Sequence, residues 1–206
     1  MAAKYNPRKE HALKRKTNFR PVKETFLIVC EGLNTEPEYF NAFRLTSAKV
    51  KTVGEGLGTM SLVREAISLR EVERRKGRVY NHCWVVFDKD DYADFDEAIA
   101  FAERNGFSVA YSNQAFEIWF LVHFGQYSAP LDRGRYGQLL EKHLGIPYSK
   151  KAGYVSKIFN RLRQSQEAAI ENASMIEKSK SGTLPSQSES ITTVHKLVES
   201  LEKFSD

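Results

Sequence analysis

Four acidic residues lie far apart in the chain but in matching local settings: Glu31, Asp88, Asp90 and Glu117. Glu31 directly follows the apolar run Phe26-Leu27-Ile28-Val29-Cys30. Asp88 and Asp90 follow Trp84-Val85-Val86-Phe87, and their i,i+2 spacing points both carboxylates one way if the backbone stays extended. Glu117 is the only acid within Ala115 to Phe124, and a carboxylate in so apolar a segment needs a partner. Carboxylates gathered at one place repel unless a positive charge sits among them. A hard divalent cation, Mg²⁺ or Mn²⁺, takes oxygen ligands from a few carboxylates and leaves room for phosphate oxygens. Such an ion stabilises charge on a phosphoryl group and acidifies a bound water.

The elements that must position these acids follow from patterning. Residues 25–30 and 80–87 read as short continuous apolar strands buried on both faces, the mark of a parallel sheet. Residues 48–53 and 107–111 are weaker strands. Thr35 with Glu38 predicts a capping box opening a helix to about Arg44. Leu62, Val63, Ala66, Ile67 and Leu69 predict a second helix stopping at Gly77, and a third runs from about Asp94 to Asn105-Gly106. Ser112 and Asn113 offer an N-cap for an apolar helix from about Ala115 to Phe124. The alternation βαβαβαβα predicts an α/β fold, a parallel sheet flanked by helices. All strand C-termini then share one edge, where open α/β sheets bind ligands. Three acidic features fall at that edge.

Beyond residue 128 the pattern turns helical: 133–144, one long helix marked by Val155 to Ile176, and an amphipathic helix marked by Ile191, Val194, Leu197, Val198 and Leu201. A Ser-rich stretch at 179–190 reads as a loop. The expected organisation is a basic flexible arm at 1–22, an α/β core at 23–128 and a helical C-terminal region at 129–206.

Composition narrows the class. The chain has 206 residues, 41% hydrophobic and 28% charged, which excludes fibrous and wholly disordered proteins. The net charge is +5, and residues 1–20 alone, with seven Lys or Arg and one acid, Glu10, carry +6. The remainder, at −1, is nearly neutral. Such an arm can hold a phosphate backbone without reading sequence, or be a solvated tail. Two cysteines in apolar runs, Cys30 and Cys83, predict a reducing, cytoplasmic setting. No apolar run is long enough to cross a membrane, and the basic N-terminus lacks the apolar stretch of a signal peptide.

Other features read as structural. His82 and His123 are expected to be core histidines, and no zinc spacing or nucleophile elbow is present. Gly54-Glu55-Gly56-Leu57-Gly58 lacks the Lys-Ser/Thr of a phosphate loop and reads as a mobile turn. Glu36, Glu38 and Asp91 read as helix-start or turn acids.

Three segments together resemble the RloB-like family: Ile28 through Phe40, with Cys30-Glu31-Gly32-Leu33-Asn34-Thr35-Glu36-Pro37-Glu38 at its centre; Val86-Phe87-Asp88-Lys89-Asp90-Asp91; and Ser112 through Phe124, with Ala115-Phe116-Glu117-Ile118-Trp119 inside it. The similarity extends through Tyr148-Ser149-Lys150. That family is similar to Toprim proteins, the fold shared by topoisomerases, bacterial primases and nucleases of the overcoming-lysogenization-defect type. The resemblance implies a Toprim-like sheet with a helical C-terminal extension, and metal binding by Glu31, Asp88 and Asp90. It also implies a prokaryotic defence role, often beside a partner ATPase. Tyr92 and Ala93 stand where a glycine often follows the Toprim Asp-x-Asp. The expected activity is Mg²⁺- or Mn²⁺-dependent hydrolysis of phosphodiester bonds in RNA, tRNA included, or DNA. Glu117 would be a further ligand or orient one, and Lys150 or Lys151 would steady the phosphate. The alternative is a non-catalytic partner or regulatory subunit of the ATPase. No membrane partner is expected, and a homo-oligomer is left open.

Overall fold

The computed structural model describes residues 24–45, 48–52, 58–90, 92–151 and 153–204. The basic arm at 1–22, Asp91 and most of the glycine-rich turn lie outside them.

Among the described residues, five strands form one sheet in the order β2-β1-β3-β4-β5. They are β1 (Phe26–Cys30), β2 (Ala48–Thr52), β3 (His82–Asp88), β4 (Ser108–Asn113) and β5 (Ile191–Thr192). The first four are mutually parallel, and β5 is antiparallel to β4. The chain leaves β1 first toward β2 on one side and then crosses to β3 on the other. The strand order therefore reverses between β1 and β3, and their following loops diverge to open a crevice.

Alternation along the strands divides the core in two. Phe26, Ile28 and Cys30 of β1, with Trp84 and Val86 of β3, face a layer built from α1 (Thr35–Asn41), α4 (Glu117–Leu121), α5 (Tyr136–Leu144), α6 (Val155–Leu162), α7 (Gln166–Ser179) and α8 (Val194–Glu202). Leu27 and Val29, with Cys83, Val85 and Phe87, face α2 (Thr59–Arg75) and α3 (Phe95–Arg104). The observed class is α/β, a mostly parallel sheet flanked by helices on both faces. Gly77 and Gly106 end α2 and α3 at φ +76° and +74°, the left-handed region in which a side chain is strained.

Several local expectations change. The Thr35–Glu38 capping box is absent. The N-cap is Asn34, with no side-chain cap bond. Glu38 instead accepts from the Gly153 N–H (3.0 Å) and from the Ser156 N–H (2.9 Å) and hydroxyl. Its charge thus docks α1 onto the positive end of α6. Ser112 and Asn113 do not cap α4. They are the last residues of β4, paired with Thr192 and Ile191. Helix α4 is only five residues, with Phe116 at its N-cap. The long helix over 155–176 is two, α6 and α7, joined by a 3₁₀ turn at Arg163–Ser165. Ile191 belongs to a strand rather than to α8. No helix among the described residues is long and apolar enough to cross a membrane.

Candidate functional site

The crevice between the β1 and β3 loops is where the acids gather. The Glu31 N–H donates to the Val86 carbonyl (2.9 Å), continuing the β1–β3 ladder one residue past the strand. The Asp88 N–H then donates to Glu31 Oε2 at 3.3 Å, so these two acids, 57 residues apart, are neighbours. The Lys89 N–H donates to the Ser112 carbonyl (2.8 Å), holding the start of the acidic loop on β4. Glu31, Asp88, Asp90 and Glu117 line one cavity of about 410 Å³ together with Glu36, Phe116 and Lys150.

Each carboxylate is held differently. Burial pushes the Glu31 carboxyl up to about 7; the Asp88 N–H works against this, and the charges of Asp90 and Glu36 add to it. Asp88 is also pushed up, first by burial and then by the charges of Glu36 and Glu117, with the Phe116 N–H opposing. Glu36, only 6% exposed, is pushed up by burial; its own N–H offsets this, as does Lys150, while Glu117 reinforces it. Glu117, 2% exposed at the start of α4, accepts from the Tyr148 hydroxyl at 2.6 Å and from Lys150 Nζ at 2.7 Å. Asp90 turns outward to pair with Arg133 Nη1 at 2.8 Å.

A second hollow of about 570 Å³ shares Asp88, Asp90, Glu117 and Lys150 with the first. It continues the crevice past Arg133, Tyr136 and Tyr148. The acids therefore line a groove together with Arg133 and Lys150.

All five residues that the sequence singles out, Glu31, Asp88, Asp90, Glu117 and Lys150, line this groove. Lys151 lines neither of its hollows. Sequence reasoning misses three contributors: Glu36, Tyr148 and Arg133. In the sequence Glu36 reads as a helix-start acid. The signal that could have found it is Gly32, where a β-carbon would overlap the Glu36 carboxylate. Tyr148 lies in the Tyr148-Ser149-Lys150 segment, which by itself gives the phenol no role. His123 is buried, with Nδ1 2.9 Å from the Trp119 carbonyl oxygen and Nε2 3.4 Å from Gln166 Oε1. Burial pulls its pKa down to about 4, which makes it a neutral core histidine.

The donor set suits a hard divalent cation. It is all oxygen, and three of its carboxyls are pushed toward protonation by burial and mutual repulsion, the strain such an ion relieves. Among the described residues no three acidic, His or Cys side chains are grouped to hold one ion as they stand. A shared ion therefore requires the carboxylates to turn toward one another.

The model of a family described as RloB-like protein matches residues 26–201. No curated protein and no solved structure matches the chain.

Proposed function

The chain belongs to the RloB-like family, and on that premise we propose that it is a metal-dependent nuclease with a Toprim-like core. It hydrolyses phosphodiester bonds of RNA, tRNA among them, or of DNA. It acts in the cytoplasm in antiphage defence, beside a partner ATPase. The observation that carries the reading is the joining of Glu31 and Asp88 by the 3.3 Å backbone bond at the sheet's switch point, with Glu36, Asp90 and Glu117 around one cavity.

Glu31, Asp88 and Asp90 would hold Mg²⁺ or Mn²⁺, which when bound supplies charge stabilisation at the phosphate and a more acidic water. The chain's own groups do the rest. Glu31, held beside the Asp88 N–H, is also placed to accept the proton of the attacking water. Lys150 leaves its bond to Glu117 for a non-bridging phosphate oxygen. Arg133 offers a planar fork to the next phosphate along the groove. Tyr148 keeps the Glu117 carboxylate aimed into the cavity while Lys150 is engaged elsewhere.

The test is purified protein incubated with Mg²⁺, Mn²⁺ or EDTA and offered tRNA, single strands and duplex DNA. Cleavage is expected with metal and not with EDTA, and Asp88→Asn lowers it by at least about 100-fold. Cleavage by Asp88→Asn at the wild-type rate overturns the mechanism.

One observation favours a second reading, a non-catalytic subunit of the ATPase. Lys150 already neutralises Glu117, and among the described residues the carboxylates are not yet grouped around a point. On that reading Mn²⁺ titration by calorimetry gives the same weak heat for wild type and Glu31→Gln, and no substrate is cut with the ATPase added.

A further inference from the structure

The near-neutral charge of the body conceals a concentration of positive charge. Residues 133–163 carry eight Lys or Arg against one acid, Glu141. Arg133, Tyr136, Tyr148 and Lys150 of this segment line the groove. Lys150 and Tyr148 face the acidic hollow. The residues just before and after them, Ile146, Pro147 and Tyr154, face a separate hollow of about 610 Å³. Residues 146–151 and 153–154 thus border both hollows, and the Tyr148 and Tyr154 rings meet edge to face at 6.3 Å. The outer hollow pairs an apolar floor of Ile146, Pro147 and Tyr154 with Lys157, Asn160 and Arg161 from successive turns of α6. Lys157 and Arg161 are exposed on the outer face of that helix, while Ile158, Phe159 and Leu162 bury its inner face.

We infer that this outer hollow is a binding track for the nucleic-acid strand that enters the acidic groove. Lys157 and Arg161 hold phosphates, and a base lies on the Pro147–Tyr154 floor. The inference rests on the nuclease reading and specifies where its substrate runs. Cations interleaved with an apolar and aromatic floor are the chemistry of single-strand binding, in which charge follows the backbone and flat rings take any base. An acidic protein surface would use the cations but leave the floor unfilled. Adjacency, across one stretch of chain, to a pocket suited to phosphodiesters decides in favour of nucleic acid.

The experiment measures binding of a fluorescent single-stranded RNA or DNA oligonucleotide by anisotropy in EDTA, so that binding is read apart from cleavage. Lys157→Glu and Lys157→Glu/Arg161→Glu are compared with Arg104→Glu, a matched charge reversal on α3 across the sheet. The α6 variants are expected to bind about tenfold more weakly or worse. The slope of log affinity against log salt is expected to flatten by about 0.7 for each phosphate that is no longer held. Arg104→Glu is expected to bind as wild type. Arg161 also donates to the Leu144 carbonyl (3.1 Å), so its variant could disturb the fold. Lys157, exposed on the same face, carries the test alone.

Unchanged binding by Lys157→Glu, with wild type still cutting in Mg²⁺, overturns the track and leaves the nuclease standing. Equal loss in Arg104→Glu overturns it as a general charge effect. Intact oligonucleotide binding with lost capture of the ATPase gives the surface to a protein and also overturns it. No binding by wild type at any salt overturns the track, while cleavage in Mg²⁺ decides the nuclease separately.

Discussion

At the scale of single residues, the site depends on a close approach that only glycine permits. A β-carbon on Gly32 would fall on the Glu36 carboxylate, which is the far end of a flexible side chain and can move aside. Gly32→Ala is therefore expected to keep the fold, with stability within about 1 kcal/mol of wild type by urea unfolding. The displaced carboxylate changes the field felt by Asp88 and Glu31, so Mn²⁺ affinity by calorimetry should fall about tenfold. A large stability loss with unchanged affinity would show that Gly32 serves only the backbone. The same close approach explains which acids are legible in the sequence. Glu31 and Asp88 stand out because each ends an apolar strand, and Glu117 because it interrupts an apolar helix. Glu36 does not, because five residues from Glu31 matches neither strand nor helix spacing. Its membership is set by the α1 start folding back over Gly32, a tertiary fact.

At the scale of elements, β5 is short but fills demands that the rest of the sheet leaves open. Thr193, just past it, accepts from the Tyr111 N–H through Oγ1 at 2.9 Å, and the Thr193 N–H donates to the Tyr111 carbonyl at 2.9 Å. Thr193→Val keeps shape and backbone but strands a buried N–H, which costs about 1–3 kcal/mol. The expected result is a lower urea midpoint with an unchanged slope; a midpoint equal to wild type would mean that the N–H finds another partner. Strands β1 and β3 are legible because both faces are buried and their residues are continuously apolar. Patterning ends β4 too early, since Ser112 and Asn113 look like cap residues when the partner strand about 80 positions later is unseen. Ile191 fits the helical spacing of Val194, Leu197 and Leu201 by coincidence: it packs on the α2–α3 side of the sheet while those three pack on the other. Periodicity shows that a residue is buried, not which layer buries it.

At the scale of the whole molecule, the gathered acids make stability depend on pH in an unusual direction. Glu31, Glu36 and Asp88 all have carboxyls pushed above their ordinary values, Glu31 to about 7. Between about 4.5 and 7 the folded chain therefore holds more protons at Glu31 than the unfolded chain, and stability falls as pH rises through that window; Glu36 and Asp88 are shifted in the same direction and add to the fall. His123 acts oppositely. Its value is pulled down to about 4, so the unfolded chain binds the proton first, and stability rises with pH between about 4 and 6.5. Glu177, held down to about 2 by His195 and Lys196 against some burial, acts only below this range. Three groups outweigh one, so the metal-free protein should melt at a lower temperature at pH 7.5 than at pH 5.5. Glu31→Gln should flatten that slope by removing one of the three. A bound cation favours the ionised acids and so should reverse the trend: at 100 times its Kd, Mg²⁺ adds about 2.7 kcal/mol at pH 7.5 and much less at pH 5.5, where the carboxyls hold protons instead. Melting curves at the two pH values, with Mg²⁺ and with EDTA, read this directly. Equal stabilisation at both would mean that the cation binds away from these acids, and the crevice would then be repulsive for some reason other than metal binding.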